Sequence, residues 1–150
     1  MGTDAQRRDW DLCNATWKGL VDRRGENPRA TDFTPGEFVV VAVWTVFGIV
    51  RNGGFECLFS SDLPGDPGYK LALEAFRTLG CESALASFEG ALSGFPGGVI
   101  PEDDAERKRL FMASSEEVRA ALAAQFWNAE AEIVSKCAAY IRQTRVTPAQ

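Results

Sequence analysis

Phe38-Val39-Val40-Val41-Ala42-Val43-Trp44-Thr45-Val46-Phe47-Gly48-Ile49-Val50 is the stretch on which the fold turns. By propensity alone its six valines read as a strand. The four residues in front of it argue the other way. Thr34-Pro35-Gly36-Glu37 has the form of a capping box, with Thr34 as cap, Pro35 in the first turn and Glu37 reaching back. Thirteen residues are also long for a strand. The reading is therefore a helix, apolar nearly all round and so central and buried. Its rise of ~20 Å is short for a bilayer crossing, and its cap is that of a soluble helix.

Outward from this helix the punctuation is clear. Asn52-Gly53-Gly54 ends it, because asparagine and glycine tolerate the left-handed backbone of a helix stop. A short turn of helix over 55–59 follows, then a loop over 60–68. Leu71, Ala75, Phe76 and Leu79 mark a helix closed by Gly80, and Leu85, Phe88 and Leu92 mark another ended by Gly94. Pro101-Glu102-Asp103-Asp104 begins a short acid-headed helix, with carboxylates where the helix dipole favours them. Ser114-x-x-Glu117 reads as a second capping box, opening one long final helix with Val118, Leu122, Phe126, Ile133, Cys137, Tyr140 and Ile141 on a stripe. Upstream, Trp10, Cys13, Trp17, Leu20 and Val21 share one face of a helix from Asp4 to Arg24. The expectation is an all-α fold, a single compact domain of six to seven helices. It divides into an N-terminal helix and loop (1–34), a helical body (35–142) and a tail (143–150).

The chain has 150 residues, a net charge of −5 and a sequence pI near 4.8, which disfavours direct binding to nucleic acid or to an anionic membrane. The charge is unevenly spread: residues 51–106 carry 10 acids against 3 bases, a net of −7. A basic partner would be drawn there. Histidine is absent, which removes Ser-His and Cys-His activation and imidazole metal sites. No phosphate loop, nucleophile elbow or dinucleotide fingerprint occurs. No catalytic, cofactor-binding or metal-binding residue is assigned, and no cofactor is expected. Cys13, Cys57, Cys81 and Cys137 lie too far apart for a metal or redox motif and read as small buried hydrophobes. With no signal-peptide pattern, the expected location is the cytoplasm. Trp44 and Trp127 read as core residues beside their apolar neighbours. Asn52-Gly53-Gly54-Phe55 reads as a helix stop with an inward aromatic anchor; the competing reading is a ring of backbone amides open to an anion or peptide.

The residues from Val46 to Ser60, with Asn52-Gly53-Gly54-Phe55 at their centre, resemble the core motif of the DNA-mimic-protein domain family of small bacterial helical proteins. The resemblance continues through Ala72–Gly80, the Phe95-Pro96 break and Leu122–Phe126, covering about 35–142. The chain departs from the family pattern at Cys57, Leu58 and Ser60. The resemblance implies an all-helical, non-enzymatic protein whose acidic face imitates the phosphate charge of DNA and occupies a DNA-binding protein. The implied partner is a basic protein, a transcription factor or nucleoid protein. The candidate acidic face is Glu56, Asp62, Asp66, Glu74, Glu82, Glu89, Glu102, Asp103, Asp104 and Glu106. Glu82 and Glu89, seven apart, lie on one helix face about 10 Å from each other. Three other readings stay open: an immunity or antitoxin-like protein that neutralises a toxin, a carboxylate-based hydrolase, and a scaffold acting through self-association as a homodimer.

Overall fold

A computed structural model describes residues 2–24, 29–61, 63, 66 and 68–146. Among them the chain forms seven α-helices and no strand. These are α1 (Asp4–Arg24), α2 (Pro35–Phe59), α3 (Lys70–Leu79), α4 (Glu82–Ser93), α5 (Asp104–Met112), α6 (Glu116–Asn128) and α7 (Glu130–Thr144), with one-turn 3-10 segments at Ala30–Asp32 and Pro96–Gly98. The all-α, single-domain expectation holds. The tail residues 147–150 lie outside the described residues, as does the 25–28 connection.

The capping box in front of α2 forms as its sequence dictates. Thr34 Oγ1 accepts the Glu37 amide at 3.2 Å, and Glu37 Oε1 accepts the Thr34 amide at 3.0 Å. The valines behind it then pack as helix residues, because tertiary burial outweighs β propensity. Val40, Val43, Val46 and Val50 are fully buried. At 25 residues α2 takes in both the expected apolar helix and the expected short turn over 55–59, joined across a kink, and by length and hydropathy it meets the requirement for crossing a bilayer. Its apolar surface is used instead on α1, α3, α5, α6 and α7, which all pack against it.

The kink is a break that does not end the helix. Gly54 has φ 76° and ψ −177°, a conformation essentially reserved for glycine, and the chain resumes helical geometry at once. In an unbroken helix Phe55 would point ~140° round the axis from Val50. The break releases the last turn from that register, and Phe55 is 1% exposed. It sits in an aromatic cluster, 5.6 Å from Phe126, 6.1 Å from Phe88 and 6.2 Å from Phe59 between ring centroids. The Trp127 indole donates to the Val50 carbonyl at 3.1 Å, satisfying an acceptor in the turn before the break. Asn52-Gly53-Gly54-Phe55 is thus a kink and an anchor.

The far end of α2 is held by side chains from elsewhere. Arg107, 3% exposed on α5, donates through Nε to the Phe59 carbonyl at 3.0 Å and through Nη2 to that of Ser61 at 3.1 Å. Its Nη1 donates to the carbonyls of Pro101 at 3.1 Å and Glu102 at 2.7 Å. Tyr69 donates its hydroxyl to Leu58 at 3.3 Å, and its ring lies 5.8 Å beneath the Arg107 guanidinium. A cation at a helix C-terminus also complements the dipole.

Two sequence expectations need correction near the C-terminus. The long final helix is two helices, broken at Ala129 (φ −87°, ψ 0°). No glycine or proline marks the break. It is tertiary: α6 packs on α4, α7 packs on α1, and Trp127 is fastened to α2. The cap of α6 is Ser115, accepting the Val118 amide at 3.2 Å, whereas Ser114 donates back to the Phe111 carbonyl.

Candidate protein-binding surface

The acidic residues fall into distinct environments. Glu74 on α3 and Glu89 on α4 gather round one cation. Arg77 pairs with Glu74 within α3, and its Nη2 stands 3.9 Å from Glu89. Glu82, exposed in the first turn of α4, lies on the stripe of Glu89 two turns away. These three carboxylates occupy the surface of the α3–α4 hairpin, which Gly80 closes in the left-handed conformation (φ 75°).

The second group heads α5. Asp103 is the cap, accepting the Glu106 amide at 3.0 Å, and α5 proper starts at Asp104. Arg109 holds Glu106 through a 2.8 Å bond from Nε, which pulls the carboxyl below its ordinary range. Glu102 contributes its carbonyl to Arg107 while its side chain is exposed. Glu82, Glu102 and Asp104 form no ion pair among the described residues. Glu116 and Glu117, exposed in the first turn of α6, add two carboxylates that the sequence reading did not count. Their signal was present, since acids belong at a helix start.

Three candidates stand apart. Asp66 is 6% exposed, with its oxygens accepting the amides of Leu71 and Ala72 at 2.9 Å each, so it caps α3 and presents no charge to a partner. Glu56 is half-buried beside the α2 kink, its carboxylate about 2.9 Å from where a Cβ on Gly54 would stand. Asp62 lies outside the described residues.

The two tryptophans divide. Trp44 is in the core, whereas Trp127 is 48% exposed, with only its indole nitrogen committed. The cysteines divide too, because Cys57 is exposed and the other three are buried. Cys13, Cys81 and Cys137 converge from α1, the α3–α4 turn and α7. The Cys137 thiol is pushed up by its hydrogen bond with Cys13 and by burial. Burial, with the Glu132 carboxylate adding, pushes Cys81 from 9.0 to about 12, against the pull of Lys136. No group of side chains suited to a metal ion occurs among the described residues.

A thiol-specific reagent at pH 8 is expected to label Cys57 alone in the folded protein and all four cysteines after unfolding. The Cys81 and Cys137 thiols are neutral when folded and ionise more readily when unfolded. Their contribution to stability is therefore complete below pH 9 and is lost as pH rises toward 12. Urea midpoints measured from pH 7 to 11 should be flat to about 9 and then fall.

Residues 31–144 match the family model described as DMP19-like protein. The chain belongs to the DMP19-like protein family. This is the family to which the Asn52-Gly53-Gly54-Phe55 string pointed, and the match runs from just before the α2 cap to the last residue of α7. Helix α1 lies outside it. No curated protein and no solved structure matches the chain. The DMP19-like region contains every acidic residue of both surface groups.

Proposed function

We propose that the protein is a non-catalytic DNA mimic that occupies the DNA-binding surface of a basic protein, a transcription factor or nucleoid protein. The observation that carries this reading is membership of the DMP19-like family across the segment whose net charge is −7. The placement of the acids supports it. Exposed carboxylates at the heads of α4, α5 and α6 project from the helices, and Glu82, Glu102 and the half-buried Asp104 form no ion pair among the described residues. Duplex DNA carries one charge per about 1.7 Å of axis, so a mimic needs fixed, uncompensated charge. A hydrolase would instead need two enclosed carboxylates raised in pKa. The enclosed acid Asp66 is a helix cap, and the carboxyl shift at Glu106 is downward.

The test is capture of the partner from a lysate of the source cells, elution in a salt gradient, and competition with duplex DNA. The expected partner is a basic DNA-binding protein that elutes with salt and is displaced by DNA. A partner indifferent to DNA sinks the mimic reading. With that partner in hand, the combined variant Glu82→Gln, Glu102→Gln and Asp104→Asn should weaken binding about tenfold or more and flatten its salt dependence. The fold should survive, because the three positions are away from the core. Asp103 is left untouched because it caps α5.

A further inference from the structure

A cleft of about 270 Å³ lies beside α2, floored by Phe38, Val41, Ala42, Thr45 and Ile49, which recur at helical spacing. Trp17 and Val21 of α1 contribute one wall, Leu63 and Ala72 another, and Arg29 and Phe33 also line it. At the ~30 Å³ that a water molecule takes, there is room for about nine non-hydrogen atoms. The lining is mostly apolar with a few polar groups, the usual composition of a small-molecule site.

Two of those polar groups can donate, Thr45 and Arg29. The Thr45 hydroxyl accepts the Trp17 indole N–H at 2.9 Å and keeps its own proton to donate, along with a second lone pair. The Arg29 guanidinium, exposed to solvent, makes no ion pair or side-chain hydrogen bond among the described residues. Asp66 also lines the cleft, but both its oxygens are engaged by the first amides of α3. An apolar cavity with an open cation and a spare hydroxyl proton selects for an acceptor on the ligand, and for a negative one.

We propose that this cleft binds a small apolar carboxylic acid, its body on the α2 floor and its carboxylate at Arg29. Arg29 lies upstream of residues 51–106, so the site stands independently of the mimic reading. Nothing in it calls for a basic protein partner.

The experiment is calorimetric titration of the full chain with octanoate, octanol and octylamine at pH 7.4. Octanoate should bind at least about tenfold tighter than octanol, and octylamine should not bind, as expected of one charge-assisted contact. Arg29→Gln should lower octanoate to the level of octanol and leave octanol unchanged. Ala42→Leu, which fills the floor, should abolish both. Should that variant fail to fold, the exposed Arg29→Gln still separates the outcomes. Equal affinity for acid and alcohol, binding of the amine, or no heat from any of the three overturns the proposal.

Discussion

Arg107→Ala is expected to cost about 3 kcal/mol or more of stability, since hydrogen bonds to a charged group are worth about 1.5–3 kcal/mol each and water can replace only part of them. Among the described residues the guanidinium donates to the backbone carbonyls of Phe59, Ser61, Pro101 and Glu102. Truncation takes this donor from the buried Phe59 carbonyl and from three partly buried ones, and removes the cation from the end of α2. For a chain of this size each kcal/mol moves the midpoint of thermal unfolding by about 2–4 °C. Urea denaturation measures the loss directly. Arg107→Lys should recover only a minor part of it, because one ammonium cannot span carbonyls on both sides of a planar fork. A loss below about 1 kcal/mol for the alanine variant would show that α2 is held mainly by its apolar faces.

Gly54→Ala is the second large effect, at about 2–4 kcal/mol. Its backbone (φ 76°, ψ −177°) is closed to residues with a Cβ, and the added carbon would also stand 2.9 Å from the Glu56 carboxylate oxygens. Gly48, six residues earlier in the same helix, is the internal control. A Cβ there meets nothing within 4 Å, so Gly48→Ala should stabilise by up to about 1 kcal/mol. Opposite signs at two glycines of one helix would separate a required backbone conformation from ordinary helix propensity. Loss of similar size at both positions would contradict the kink as described.

The difference between these two glycines also marks what was legible beforehand. The capping box of Thr34 and Glu37, the start and end of α1, and the Gly80 stop could be read because each depends on residues within a few positions of one another. The sequence located both the break at Gly54 and the short turn of helix beyond it, but not the direction that turn takes, since that depends on Phe55 finding Phe88 and Phe126 from distant helices. Arg107 gave no local signal. In sequence it is one more base on an exposed-looking helix, and only α2's carbonyls make it a core residue. The break at Ala129 and the half-exposed Trp127 have the same origin in tertiary contact. The acidic candidates were legible as charges but not as surfaces. Asp66 shows the limit, since an acid a few residues ahead of a helix serves equally as a cap or as a solvated charge, and here it is the cap.

Arg107 grips the turn ahead of α5 through the carbonyls of Pro101 and Glu102, groups that every amino acid carries. The backbone of the turn is thus fixed without reference to the side chains at 102 and 104. Those two positions can exchange residues, and so retune the charge shown to a partner, while the scaffold stays as it is. Recognition can drift here under selection without putting folding at risk. One conserved contact would be enough to keep a changing surface in register.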